Sequence, residues 1–539
     1  MIKIITRIFT YIIAVATIIG CQQQQRPVVP EPIWDGASEV ICINIGQLHS
    51  KSGLASMDRT KIEQALDETN PGRGAEMAIV KRLLAAPNTS GFNLDKPAYV
   101  AMGEYAIDVN TYNMVASIEV ASVTDVDNLL KSLATDEIEA TVEVDGNKRI
   151  ISFTDAPIIA GYDNKRLVVI STESETCNLN DVLLKHMEYS AADMSLFHNS
   201  DIAAYANLSK YINELSAPDQ EVNNETNEEA IEDVNEELDE NPYSKYISNN
   251  ASLIYTLTFD NGSIIYNTDI KGLSEEATKL FKPANANSLN MLPPSPLAML
   301  NIGANGEAFA DLADMAISAT METMGGASNE FNIYKNIALG VVASINGDFM
   351  MALSDANGTI TEDALGDKQL LFTTANALFT ANVADDYIMQ NINTYAGTFF
   401  KKSGDKYTID AFGNKITIAQ QDKLFFVGVN NDGSTKRYSA ADEEWSNNVI
   451  GSYLFAMVDL NKLLRSGFGR AALETLPDNI PNHAEREAFL KVLTAVDRVY
   501  LTINGEESNM HGECMIITSN SKKNSLQHIV EIFHELAFN

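Results

Sequence analysis

The sequence predicts an α+β fold in two related lobes, each an antiparallel or mixed β-sheet with helices packed on it. Three observations predict it. Five strand-and-helix motifs recur in the same order in both halves of the 539-residue chain, the mark of an internal duplication. The steps Asp145-Gly146 and Asn261-Gly262 punctuate apolar runs and favour tight turns between antiparallel strands. Helical patterns at 74–86 and 485–493 fall between the strand runs, placed to cover one face of each sheet.

Residues 1–20 have the layout of a secretion signal. Lys3 and Arg7 precede an almost wholly apolar run from Ile8 to Gly20. As a helix that run is about 20 Å long, against a hydrocarbon core of about 30 Å, so it is short for a span. Ile18-Ile19-Gly20-Cys21 resembles the lipobox of bacterial lipoproteins, which makes Cys21 the expected lipidation site. Residues 21–33, with four consecutive glutamines and three prolines, cannot build a core and read as a flexible tether. By analogy with sorting signals after the lipidated cysteine, Gln22 and the lack of an acidic export tag point to the outer membrane, facing the periplasm.

The first lobe is expected over 34–283 and the second over 296–539, with 284–295 as the junction. Ile43-Asn44-Ile45-Gly46 matches Leu300-Asn301-Ile302-Gly303. The run from Val115 into Val123–Leu130 matches Ala377 into Val383–Met389, with acids at each helix start to complement the dipole. Ile158–Val169 matches Ile416–Phe426, each as strand, turn, strand. Ile202–Lys210 matches Leu454–Lys462, and Leu253–Phe259 matches Val499–Gly505. Each half then ends in a helix, Glu275–Phe281 and Leu526–Leu536. Within the first lobe, residues 217–241 carry eleven acids and no lysine or arginine between Asp219 and Glu240. Such a run reads as a disordered, solvated insertion.

Composition narrows the function. The formal net charge is −35, and loss of the signal makes the mature chain two units more negative. That field repels phosphate backbones, so nucleic acid is not an expected partner. After Cys21 only Cys42, Cys177 and Cys514 remain, an odd set without paired spacing, which argues against a disulfide framework.

Chemical motifs are sparse. The histidines His49, His186, His198, His483, His511, His528 and His534 form no zinc spacing. Glu531 and His534 share a helix face, as half of a di-iron pattern would, without a visible second half. His511-Gly512-Glu513-Cys514 runs into a buried strand pattern, which favours Cys514 as a core residue over a nucleophile. Gly303-Ala304-Asn305-Gly306 reads as a strand-to-helix turn. Asn430-Asn431-Asp432-Gly433-Ser434 lacks the later glutamate of a calcium loop. No phosphate loop, dinucleotide fingerprint or nucleophile elbow occurs, so the sequence points to no catalytic residue, metal or cofactor.

Val40–Leu48, Lys51-Ser52-Gly53-Leu54 and Gly91–Tyr99 together resemble a Bacteroidetes lipoprotein family catalogued as domain of unknown function 4836, over roughly 34–539. The resemblance implies an exported lipoprotein and supplies no functional residues. The expected function is therefore a membrane-anchored envelope lipoprotein that binds or scaffolds a periplasmic protein or polymer, with the lobe junction as its docking place. An envelope hydrolase with a dispersed active site is the alternative.

Cys21 yields the first test. Cells fed a clickable fatty acid should label the native chain and leave Cys21→Ala unlabelled; equal labelling would refute lipidation there.

Overall fold

The computed structural model describes residues 39–58, 89–102, 106–107, 110–131, 140–145, 148–153, 158–172, 199–208, 244–285, 288–292, 295–323, 329–362, 368–396, 399–411, 413–431, 445–479 and 482–538, with positions 60, 63, 64 and 81. Outside this set lie residues 1–20, read as a secretion signal; Cys21 and the rest of 21–33, read as a tether; Cys177; and the acidic stretch 217–241. The fold is α+β, with its strands paired antiparallel throughout. It divides into two compact units. One comprises Met1–Tyr211, Ser252–Asn267 and Asn520–Asn539; the other comprises Ile212–Ala251 and Thr268–Ser519.

The strands of unit 1 in chain order are β1 (Glu39–Ile43), β2 (Ala98–Met102), β3 (Ala106–Ile107), β4 (Asn110–Glu119), β5 (Ala140–Asp145), β6 (Lys148–Phe153), β7 (Ile158–Tyr162), β8 (Arg166–Thr172) and β9 (Ile202–Asn207). Two further strands, β10 (Ile247–Asp260) and β11 (Ser263–Leu273), each run from one unit into the other. Registers give the order β10-β9-β1-β2-β4-β8-β7-β6-β5.

Helix α1 (Ile45–Ser52) follows β1 directly and stops at Gly53, whose φ of 70° is a left-handed value that suits glycine. Helix α2 (Val123–Lys131) starts where the Ser122 hydroxyl accepts the Asp125 N–H, with Asp125 itself against the helix dipole. At the β7–β8 turn the Asp163 carboxylate accepts the N–H groups of Lys165 and Arg166, at 2.7 and 2.9 Å. Val120, Val126, Ile151, Ala160, Tyr162 and Leu167 form a core beneath α2. Ile43, Ile45 and Leu48 form a second, at the junction of β1 with α1.

In unit 2, α3 (Glu275–Thr278) precedes β12 (Ala298–Asn305), which passes into α4 (Gly306–Thr323) and α5 (Asn329–Ala343). The long pair β13 (Ile345–Glu362) and β14 (Lys368–Val383) leads through α6 (Tyr387–Asn391) to β15 (Lys401–Ser403), β16 (Lys406–Ala411), β17 (Asn414–Gln421) and β18 (Leu424–Val429). Then come α7 (Ser446–Val449), β19 (Leu454–Asp459), α8 (Leu460–Arg465), α9 (Gly467–Asn479), α10 (His483–Ala495), β20 (Val496–Glu506) and β21 (Asn509–Thr518). Helix α11 (Ser525–Phe538) comes last and belongs to unit 1. The order in unit 2 is β21-β20-β19-β12-β13-β14-β18-β17-β16-β15. Among the described residues β15 pairs only with β16, and its Lys401 and Lys402 are exposed.

One row of residues in register crosses the unit 2 sheet: Phe455, Asn301, Met350, Thr380, Phe426 and Ala419. All six are buried. Directly paired side chains share a face, so this row lies on the inner face, where Trp445, Val449, Leu289 and Leu292 complete the core. Each large apolar side chain sealed there contributes about 1.5–3 kcal/mol. Leu289 and Leu292, read from sequence as part of the junction, thus supply core positions to unit 2.

Backbone proximity fixes Gly303. The Lys282 N–H donates to the Gly303 carbonyl at 3.0 Å, and a β-carbon on Gly303 would lie 1.7 Å from the Lys282 carbonyl oxygen. Gly303→Ala should therefore destabilise the protein by about 1–3 kcal/mol through overpacking, read from urea unfolding. An unchanged midpoint would show that the 282–284 segment yields freely.

Candidate functional site

The residues singled out by sequence are dispersed. His511 Nδ1 contacts Asp269 Oδ1 at 2.8 Å on an exposed part of β21. Glu531 is engaged within its own segment: one carboxylate oxygen pairs with Lys523, and the other accepts the Gln527 amide at 3.0 Å. His534 is three residues further along the same helix. Among the described residues, no three His, Cys, Asp or Glu side chains are grouped closely enough to hold a metal ion. Cys42 is sealed in β1 beside Tyr99, and burial pushes its thiol up to about 12, far from a nucleophilic thiolate. Burial also raises the Cys514 thiol. Gly303–Gly306 spans the end of β12 and the start of α4, and Asn430 turns with a φ of 52° while its amide donates to the Ala375 carbonyl at 2.8 Å.

The concentrated polar chemistry sits at three buried carboxylates. Asp201 precedes β9. Its Oδ2 accepts Lys51 Nζ and the Phe259 N–H, both at 2.7 Å. Its carbonyl accepts the Asn44 N–H at 2.9 Å, and the Asn44 amide reaches the Ser200 carbonyl. One aspartate thus ties the end of β1, the last turn of α1 and strand β10 to β9. Burial raises its pKa, while Lys51 and the Phe259 N–H pull it back. With no solvent exposure, the carboxylate is positioned to hold structure together.

The same place in the unit 2 strand order is held by Tyr453, before β19. Its N–H donates to Ile503 as that of Asp201 donates to Leu257, and its carbonyl accepts Gly303 as that of Asp201 accepts Asn44. The Tyr453 ring stacks on Phe281 at 5.6 Å, so an aromatic pair stands where unit 1 has an ion pair.

Asp459 caps α8 by accepting the Lys462 N–H at 2.9 Å, and its other oxygen faces Lys462 Nζ and Arg498 Nε at 3.1 and 3.4 Å. Asp348, at the start of the inward row of β13, has fewer partners. Oδ1 accepts the Asn285 N–H at 2.8 Å, whereas buried Oδ2 has no hydrogen-bond partner among the described residues. Burial lifts its carboxyl to about 6, partly offset by the Asn285 bond. Sequence gave only a faint signal for these groups, since an aspartate beside a strand ordinarily reads as a turn residue.

The accessible feature of unit 2 is apolar. The first turn of α5 presents Phe331, Ile333 and Tyr334 at 37%, 57% and 71% exposure. Only Glu330 and Lys335 are charged in this 15-residue helix. On β13 and β14, Met351, Leu371 and Phe372 are also exposed. No helix among the described residues is long and apolar enough to cross a membrane.

A family described as "Domain of unknown function (DUF4836)" matches residues 31–357. No curated protein matches the chain.

Asp348 makes a pH prediction. Its folded pKa of about 6 exceeds the ordinary 3.8, so folding favours its protonated form. Its contribution is intact below pH 4 and is lost as pH rises through 6, by about 2–3 kcal/mol. Asp348→Asn keeps an acceptor for Asn285 and removes that titration. Relative to the native chain, it should be more stable at pH 8 than at pH 4 by that amount in urea unfolding. Parallel profiles would show that Asp348 does not titrate in this range.

Proposed function

The chain belongs to the family described as domain of unknown function (DUF4836), and on that basis we propose that it is a lipid-anchored envelope lipoprotein that binds or scaffolds another component. The cations, apolar run and Ile18–Cys21 pattern support export and lipidation at Cys21. Attachment by two or three acyl chains would hold the protein durably at the outer membrane, facing the periplasm, without a spanning helix.

We read the two units as products of one duplicated module. The support is their common strand order. In each, the strand that opens the module pairs on both sides: β1 lies between β9 and β2, and β12 between β19 and β13. The five sequence motifs also lie on corresponding strands: β1 and β12, β4 and β14, β7–β8 and β17–β18, β9 and β19, β10 and β20. Ile43 stands opposite Ile202 as Ile302, two residues beyond the matched Leu300, stands opposite Leu454.

The observation that carries a binding role is the apolar first turn of α5. Large apolar side chains grouped on a surface mark interaction sites more often than they serve the fold. The partner that fits is a periplasmic protein or polymer of neutral or basic character, since a chain of net charge −35 repels acidic ones. Leu289 and Leu292 are core residues, so we place the contact on α5 in preference to the sequence-read junction.

Photoreactive residues at Ile333 and Tyr334, with exposed Lys415 on β17 as the control, test the proposal in intact cells. The expected result is one defined adduct from the α5 positions, lost on Ile333→Ser/Tyr334→Ser. Adducts from Lys415 alone would refute this surface. Turnover of a substrate abolished by one Asp or His substitution would refute the binding role.

A further inference from the structure

Helix α11 follows β21, a unit 2 strand, after only six residues, yet it belongs to unit 1. Its grip there begins at the entry. The Gly262 N–H donates to the Lys523 carbonyl at 2.9 Å, and the Asn524 amide donates to the Phe259 carbonyl at 2.8 Å. Asn261 and Asn524 form a β-bridge. Leu526 packs against Ile43, Ile45 and Leu48, the apolar cluster where β1 meets α1. Gln527 crosses Gly53, where a β-carbon would lie 2.7 Å from its Cγ. The receiving surface is therefore a groove shaped by α1, by the glycine that ends it and by the β10–β11 turn.

The segment brings its own helix-forming devices. Asn524 Oδ1 accepts the Leu526 N–H at 3.0 Å, and Glu531 is held by Lys523 and Gln527 from the preceding turns. All of these donors lie within the segment itself, at Lys523, Leu526 and Gln527. The grip is also shallow: Ser525 is the one buried side chain among those described in α11, while Phe533 is 61% exposed. A 14-residue helix is marginal in water by itself, so the groove and the helix stabilise each other.

We propose that unit 1 carries an acceptor groove for an amphipathic helix, filled in cis by α11, and that the groove also takes a helix of the same sequence supplied in trans. Recognition runs through an apolar anchor at the Leu526 position, an asparagine two residues earlier that pairs with the β10–β11 turn, and a slim residue at Gly53. The partner class is a second copy of this chain exchanging α11. This inference stands apart from the α5 surface, and neither depends on the other.

The test uses the full chain with a protease site inserted between Ser519 and Asn520, cut after folding. The released 520–539 segment should remain bound through gel filtration, and a fluorescent 520–539 peptide should replace it. A Leu526→Asp peptide should compete about tenfold less well or worse, given the burial that the leucine provides. A second arm leaves the chain uncut. Leu526→Asp should loosen the resident helix, and added native peptide should then bind and raise the melting temperature. Failure of the peptide to exchange into cut protein that keeps its fold would overturn the proposal. So would equal competition by the Leu526→Asp peptide, or no rise in melting temperature in the second arm.

Discussion

A sheet with one apolar face has to be covered, and every other feature of this chain follows from how the cover is supplied. Unit 1 draws part of its cover from residues 520–538, which lie beyond the strands of unit 2. Unit 2 in turn takes residues 268–285, which follow the first set of strands. Phe281 packs on Phe309 and Tyr453, and Lys282 and Ala284 bond to Gly303 and Ser452. Contacts so distant in sequence close late in folding, because the loop entropy must be met before they form. A segment ending near residue 357, where the family match stops, would contain neither α11 nor most of the unit 2 sheet.

The contrast between Asp201 and Tyr453 shows how one backbone arrangement accepts two chemistries. The main-chain bonds are the same in kind, and only the side-chain solution differs. A buried ion pair with good geometry contributes little net stability relative to an apolar replacement, because desolvation offsets the Coulomb gain. An aromatic pair contributes about 0.5–1.5 kcal/mol beyond its buried area. Neither choice dominates, so the same backbone arrangement tolerates either side-chain solution. The consequence appears when one member is removed. Loss of Lys51 would leave a buried carboxylate without its cation, whereas loss of Phe281 would leave a cavity.

Much of the architecture was legible in sequence. Each of the five motifs contains a strand, though Ile45-Gly46 of the first already lies in helix α1. Val123–Leu130 lies within α2, the pattern at 485–493 within α10, and that at 526–536 within α11. These segments were legible because apolar periodicity survives in one dimension. The 18-residue β13 was not. Ser354-Asp355-Ala356-Asn357-Gly358 has the composition of a turn, yet it stays in the strand through register shifts at Leu353/Asp355 and Asn357/Gly358. The buried carboxylates were equally hidden. Asp201 is explained by Lys51 and Phe259, 150 and 58 positions away, and no local pattern encodes such partners. The exposed turn of α5 escaped notice because Phe, Ile and Tyr in a helix ordinarily signal a core.

The short strand β15 has a consequence for the behaviour of many copies together. A sheet ending in three residues, with Lys401 and Lys402 in solvent, offers a neighbouring strand little backbone to pair with and two charges to desolvate. On the lipid-anchored surface proposed above, two-dimensional confinement would raise encounter frequency and punish any edge that can template another. Blunted at this margin, closely packed copies would meet no template for ribbon-like polymerisation from that side.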